Sequence, residues 1–228
     1  AAYNKNLGAG AGLRWDAPSG FRLAANYVAA NGSRSTTSEG GLATNHAGST
    51  GTVQMGYARE AWSVAAIYTA IQNGDDLITY ASPFTQASLS TKGMTHAFGL
   101  GGSWQGLDER WIPSISAGWG INVSDASHND AVQTSQSWTA GLEWNNIFMD
   151  GTSAGIAVGQ PVFATDLKGD NTPNDGQFIW EAWLRMNVTD AITVTPALFY
   201  LSRPLGQDTP RGESFEQLGG LAKITFKF

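Results

Sequence analysis

Six charged residues occupy positions from which their side chains could act on a solute. Each is flanked on both sides by apolar residues, within segments that alternate apolar and polar side chains. Charges repeated along a wall act on ions through their electric field, without covalent chemistry. We hypothesise that Arg22 and Arg185 raise anion permeability, because both share the inward parity of this pattern, in which basic residues slightly outnumber acidic ones. The pore-lining candidates are Arg14, Arg22, Glu143, Glu181, Arg185 and Lys223, with Asp16 and Lys227 of the same parity.

Residues suited to covalent catalysis are scarce. The chain has no Cys and three His, which excludes disulfides, thiolate ligands and Cys nucleophiles. His46 and His128 fall in predicted loops. His96 falls on a predicted apolar face, but the neighbouring strands place no Ser outward beside it, as an outer-membrane phospholipase would require. We therefore predict that the protein is not an enzyme.

Two short segments match ligand-binding motifs only in part. The glycines of residues 8–12 lack the G-x-G-x-x-G spacing of a phosphate-binding loop, and no helical pattern follows them. Small residues against which a loop folds are the favoured interpretation. Asp166, Asp170 and Asp175 could offer oxygen ligands to Ca²⁺, but their spacing matches no calcium-binding loop. A solvated surface loop is favoured there, so we predict no metal and no cofactor.

Alternation of apolar and polar residues is the main structural signal in the chain. At its end, Leu218, Ala222, Ile224, Phe226 and Phe228 share one face. About eleven such segments indicate an all-β protein, a transmembrane antiparallel β-barrel of the outer-membrane type. A soluble β-sandwich also alternates, but these segments are long and carry aromatic residues toward their ends. The predicted membrane-girdle residues are Trp62, Tyr68, Trp104, Trp138, Trp144 and Trp180.

Composition agrees with a sheet that faces lipid on one side and water on the other. Charged residues make up 14% of the 228 residues and aromatic residues 11%, with 28 Gly, while the mean hydropathy is −0.19. No stretch approaches the roughly 20 apolar residues that a membrane-spanning helix needs. The net charge of −6 and the absence of a basic cluster argue against a nucleic-acid partner.

The connections between the predicted strands alternate between short and long. The long ones are predicted at residues 32–50, 73–93, 124–135, 164–176 and 204–213. Outer-membrane barrels have short periplasmic turns and long outer loops, which places the C-terminus in the periplasm. Eleven strands would bring the first and last together parallel. We therefore expect residues 1–228 to be one partial barrel of 16 strands, a mature or trimmed chain lacking five early strands.

Five segments in order carry a family resemblance. They are SISAGWG at 114–120, QSWTAGLEW at 136–144, AVGQPVF at 157–163, VTPALFYLSRPLG at 194–206 and GGLAKITFKF at 219–228. Together they resemble the cyanobacterial outer-membrane porins that carry an S-layer-homology domain and are related to OprB-type carbohydrate-selective porins. Phe226 and the terminal Phe228 resemble the insertion signal of bacterial outer-membrane proteins.

The resemblance implies more than the alternation does. It implies a homotrimer of 16-stranded barrels in the bacterial outer membrane, which passes inorganic ions and small hydrophilic solutes by passive diffusion. It also implies contact with outer-membrane lipid, peptidoglycan binding through an N-terminal domain that this sequence lacks, and a constriction loop in the missing early strands. An alternative is a plugged barrel that serves mainly as an anchor between outer membrane and peptidoglycan.

Overall fold

The computed structural model describes residues 8–30, 32, 36, 38–74, 81–89, 92–106, 111–125, 128–169 and 171–227. Within them the chain is all-β, as predicted, with eleven antiparallel strands in one open sheet whose spatial order follows the sequence. The strands are β1 (Ala9–Asp16), β2 (Phe21–Ala29), β3 (Ser49–Ala58), β4 (Trp62–Gln72), β5 (Met94–Trp104), β6 (Ser114–Ser124), β7 (Val132–Asn145), β8 (Ser153–Leu167), β9 (Phe178–Thr189), β10 (Ile192–Ser202) and β11 (Glu216–Phe226).

Cross-strand pairing sorts the side chains onto two faces. Residues directly opposite each other point to the same side of a sheet. We call the two sides the apolar face and the polar face, each defined by one row of paired residues. The apolar row runs Trp62, Trp104, Ile115, Leu142, Ile156, Ala182 and Leu198. The polar row runs Ser63, Ser103, Ser116, Gly141, Ala157, Glu181, Phe199 and Gly219.

The sheet has two open edges, formed by β1 and β11. β1 pairs only with β2, and β11 pairs only with β10, among the described residues. Since every neighbouring pair is antiparallel and ten steps separate them, β1 and β11 run in the same direction. They cannot therefore close this sheet with an antiparallel contact.

The connections define two ends of the sheet. At the turn end, where β1 joins β2, the connections include residues 17–20, 59–61, 146–152 and 190–191. At the loop end, where β2 joins β3, they include 30–48, 73–93 and 203–215. Two predicted long loops are shorter than expected, at 125–131 and 168–177, because β7 begins at Val132 and β8 extends to Leu167. Bulges in this pairing break the regular alternation, so the sequence pattern stopped short of the true strand ends.

A short helix, α1 (Pro83–Ser88), lies in the connection between β4 and β5 and was not predicted. The Ser82 side chain caps it by accepting a hydrogen bond from the backbone N–H of Thr85 at 2.9 Å, and Pro83 begins it. Both residues are typical of helix N-termini. Across the described ranges, no helix has the length and apolar character needed to span a membrane.

The sheet has almost no conventional core. Its buried apolar cluster consists of Val132, Ala164 and Leu167, with Phe84 and Leu89 packed against it. Large apolar side chains elsewhere remain open to the surroundings: Leu100 is 59% exposed and Leu198 62%. A soluble sandwich would cover such a face with a second sheet, and the described residues form a single layer.

Candidate functional site

The apolar face carries two levels of aromatic residues. All six predicted girdle residues lie on this face by register. Six residues correspond to about 20 Å along a strand, which at the roughly 35–45° tilt of outer-membrane strands spans about 15 Å of their ~25 Å apolar height. Strands β2, β4, β5 and β7 each place two aromatic residues six positions apart, namely Phe21 and Tyr27, Trp62 and Tyr68, Phe98 and Trp104, and Trp138 and Trp144.

Aromatic polar atoms nearer the loop end have hydrogen-bond partners on the same face. The Tyr68 hydroxyl lies 2.8 Å from His96 Nδ1, and the rings are stacked. The Trp138 indole N–H donates to Gln160 Oε1 at 2.5 Å, and Trp119 donates to a neighbouring Gln side chain at 3.2 Å. Rings that are apolar in body and hydrogen-bonded at one edge are typical of a membrane interface. His96 thus lies on the apolar face, as the sequence indicated.

The charged residues of the polar face lie on either side of a group of four uncharged strands. Strands β3, β4, β5 and β6 contain no Asp, Glu, Lys or Arg. At one side, Arg14 Nε donates to Asp16 Oδ2 at 2.7 Å, and Arg22 Nε lies 3.4 Å from Asp16 Oδ1. The two arginines therefore share one carboxylate, and this group of three contributes a net charge of +1. The sequence placed them on one face, and the prediction treated their charges as independent.

The remaining wall candidates lie on β7, β9 and β11. Glu143 pairs across to Gly155, Glu181 to Ala157, Arg185 to Ser153 and Lys223 to Thr195. Among the described residues, none of these four forms a salt bridge. Arg14, Arg22, Glu143, Lys223 and Arg185 lie within four residues of the turn end of their strands, whereas Glu181 lies three residues from the loop-end start of β9. The turn end is therefore the more highly charged end of the polar face.

Small side chains form the centre of the polar face. A trough of about 570 Å³ lies over β5 to β9, and Glu181 and Ile179 stand at its β9 side. A second trough of about 460 Å³ lies nearer the turn end, between Glu143 and Trp183. The first trough is floored by Gly99, Gly118, Gly120, Ser137, Thr139, Ala157 and Gly159. Such a wall leaves room for water and solute above it.

Two aromatic rings of the polar face lie over glycines of the adjacent strand. The Trp183 ring of β9 covers Gly155 of β8, and the Phe199 ring of β10 covers Gly219 of β11. A Cβ atom at either glycine would overlap the ring. Alternation with Glu181 and Arg185 assigns Trp183 to this face, whereas the glycine beneath it is apparent only from the register.

Asp175 departs from the prediction of a solvated loop, because it is 1% exposed. Its Oδ2 accepts hydrogen bonds from Ser82 Oγ at 2.5 Å, from Thr85 Oγ1 at 2.6 Å and from the Ala164 backbone N–H at 2.8 Å. Its Oδ1 accepts one from the Gln207 N–H at 3.0 Å. Four donors therefore satisfy a carboxylate that the sequence considered for Ca²⁺. The residues that the structure describes hold no cluster of metal-ligating side chains.

Other predicted residues have simpler outcomes. Asp166 lies in β8, and Asp170 lies outside the described residues. Phe226 is 57% exposed on the apolar face opposite Ile192, and Phe228 lies outside the described residues. His46 and His128 lie in connections at the loop end, as predicted.

Comparison with known proteins adds no identity: no protein-family model matches the chain, and no curated protein matches it. The established class is therefore an all-β protein with one open antiparallel sheet. The resemblance to cyanobacterial porins stays a prediction drawn from its residues.

Proposed function

We propose that this chain forms most of the wall of an outer-membrane porin, a water-filled channel for passive diffusion of inorganic ions and small hydrophilic solutes. One observation carries the proposal. A single layer of eleven strands separates an exposed apolar face from a face of small, polar and charged residues. Such a layer is stable only between two different solvents, and lipid outside with water inside satisfies both faces.

The apolar face supports the lipid side of this proposal. Its exposed side chains include Leu13 at 83%, Val64 at 50% and Ile224 at 56%, on strands at both edges of the sheet and between them. Exposed apolar surface costs roughly 25 cal/mol per Å² in water, so a face of this extent would drive aggregation of a soluble protein. Transfer into lipid removes that cost, with the two aromatic levels at the interfaces.

The open edges support a larger barrel. Antiparallel closure requires an odd number of further strands between β11 and β1, because these two strands run in the same direction. Five more would give the 16 strands that the family resemblance implies. In this arrangement the polar face lines the bore, the turn end lies in the periplasm and the loop end faces outward.

The same resemblance supplies the cellular setting of the proposal. It supports a bacterial outer-membrane location, a homotrimer, contact with outer-membrane lipid and peptidoglycan binding through a separate N-terminal domain. The proposal includes no enzymatic activity, cofactor or nucleic-acid partner. The small-residue floor favours an open bore over the alternative of a plugged structural anchor, because little side-chain volume projects from its centre.

Single-channel recording of the purified full-length protein in a planar lipid bilayer tests the proposal. Discrete ohmic steps, grouped in threes if the barrel is trimeric, are the expected result, and a KCl gradient then gives the ion selectivity. Planar bilayers exposed to the same detergent without protein control for leak currents. A barrel that is correctly folded and inserted but silent would refute the porin proposal and favour the anchor.

A further inference from the structure

Three separate connections meet at the buried carboxylate of Asp175. Asp175 itself lies between β8 and β9, Ser82 and Thr85 lie between β4 and β5, and Gln207 lies between β10 and β11. Ser82, Thr85 and Gln207 donate hydrogen bonds to its two oxygens, and so does the backbone N–H of Ala164 in β8. Donors to a carboxylate give strong hydrogen bonds, and a buried carboxylate is costly to leave unsatisfied. This single side chain therefore ties together the loop ends of three strand pairs, β4–β5, β8–β9 and β10–β11.

Arg203 reinforces the same junction through four hydrogen bonds. Its guanidinium donates to Asn174 Oδ1 at 3.1 Å and to the backbone oxygens of Asn174, Gly176 and Gly206 at 2.9, 3.2 and 3.1 Å. Gly206 has a φ of +57°, and a Cβ there would overlap Asp175. Residues 174–176 and 203–207 are thus joined by hydrogen bonds around the carboxylate.

The segment secured by this junction lies on the polar face. Ala164 pairs with Ser135, which pairs with Asn122 and accepts a hydrogen bond from its side chain at 3.0 Å, so Ala164 belongs to that face. Ala164 is 1% exposed because Phe84 and Leu89 pack over its cluster. Helix α1 therefore packs against the polar face at the loop ends of β7 and β8.

The entry to α1 also completes the edge of β8. Pairing of β8 with β9 ends at Gly159, so the rest of β8 is bonded on that side by connecting segments instead of by β9. The backbone N–H of Ser82 donates to the Val162 oxygen at 2.9 Å, and Ala81 forms a parallel bridge with Val162. The segment is therefore fixed to the wall by its backbone and by Asp175. Pro83, Gln86 and Ala87 of α1 remain exposed and carry no charge.

We propose that α1 is an uncharged constriction at the loop-end mouth of the channel, and that Asp175 is the positioning residue that holds it across the bore. This inference rests on the proposed porin function. It assigns the two mouths different roles: α1 limits solute size at the loop end, whereas the wall charges set ion preference at the turn end. This narrowing lies between β4 and β5. It is additional to the constriction loop that the family resemblance implies for earlier strands.

The test compares full-length wild type with Asp175→Asn, using Asp208→Asn as the matched control. Asp208 is an exposed carboxylate in the same connection as Gln207. Removing a charge-assisted hydrogen bond weakens a contact enough for a change of roughly 10- to 100-fold in an equilibrium. We expect amide exchange of Gln86, whose N–H donates to the Ser82 oxygen at 2.9 Å, to accelerate by about tenfold or more. The mean single-channel conductance and the size limit for neutral polyethylene glycols should both rise.

A tethered variant separates release of α1 from general misfolding. Ala81→Cys with Val162→Cys joins bridge partners; paired strands lie about 4.7–4.9 Å apart, within the Cα separation that a disulfide accepts, and the chain has no native Cys. In the Asp175→Asn background, oxidation should return conductance to the wild-type value and reduction should raise it again. If Asp175→Asn accelerates exchange but leaves the conductance of a conducting wild type unchanged, the constriction is refuted and the porin proposal stands. A silent wild type refutes both.

Discussion

Replacing Gly155 by Ala should displace the Trp183 ring from its position over β8. An added Cβ would lie 2.5 Å from Trp183 Cη2 and closer still to two other ring atoms. Non-bonded carbon atoms prefer separations of about 3.5–4.0 Å, so the ring must move by roughly 1 Å or more at its nearest edge. Overpacking of this size costs about 1–3 kcal/mol.

The matched control is Gly101→Ala, on the same face and within β5. Its Cβ would meet no atom closer than the Ala117 backbone oxygen at 3.7 Å. Both substitutions reduce the entropy of the unfolded chain, by about 0.4–1 kcal/mol. The difference between the two variants therefore isolates the overlap with the ring, and Gly155→Ala should be less stable than Gly101→Ala by about 1–3 kcal/mol.

Urea titration of folding into detergent micelles measures this difference. Tryptophan fluorescence and the gel mobility of unheated samples report the folded fraction. Repeating both glycine substitutions in a Trp183→Ala background completes a double-mutant cycle. The penalty at Gly155 should vanish there, because the ring that causes it is gone. Equal midpoints for the two glycine variants, or a penalty that persists without Trp183, would refute the register assigned to β8 and β9.

Three further predictions concern the two faces. Asp16→Asn should release Arg14 and Arg22 and shift the reversal potential in a KCl gradient toward anion selectivity. The shift should be larger at 0.01 M salt, where the Debye length is about 30 Å, than at 1 M, where it is about 3 Å. An identical shift at both salt concentrations would contradict the electrostatic cause. In vesicles, Ser103→Cys should react with a water-soluble maleimide and Leu100→Cys should not, since they occupy opposite faces of β5; equal labelling would contradict the lipid-facing assignment. Tyr68→Phe should remove the hydrogen bond to His96 and lower the unfolding free energy by about 0.5–1.5 kcal/mol. Urea titration measures this change, with Tyr57→Phe as the control. A larger loss of stability in the control would contradict a stabilising role for the Tyr68–His96 hydrogen bond.

Strand periodicity was readable from the sequence because each face of a sheet repeats every second residue. Trp138, Leu142 and Trp144 alternate with Ser137, Gly141 and Glu143, so the face of each side chain follows from parity alone. The count of eleven strands, their order and the open edges are confirmed by the structure. The membrane location and the pore stay predictions, since they depend on the surroundings of the sheet.

Long-range contacts were not readable in this way. Asp175 is followed by Gly-Gln and preceded by Asn, a context typical of a solvated loop, and its burial depends on Ser82, 93 positions earlier. Helix α1 has only six residues, too few for a helical repeat to emerge. The pair Ser82-Pro83 was its one local signal, as an N-cap followed by Pro.

The pairing of Arg14 with Asp16 was within reach of the sequence. Residues two apart on a strand share a face at a separation of about 6.6 Å, which a long guanidinium side chain can span. The prediction treated these charges as independent. Their sharing of one carboxylate leaves the sequence-derived hypothesis for Arg22 dependent on Asp16.

The equal direction of β1 and β11 has a consequence for self-association. An unpaired sheet edge readily templates pairing with another chain. Copies inserted in a membrane with the same orientation can bring β1 of one against β11 of the next only in parallel. Antiparallel joining of like edges would require one copy to be inverted, with its charged turn end on the opposite side. Vectorial insertion would therefore prevent the sheet from completing itself with copies of its own chain by antiparallel pairing.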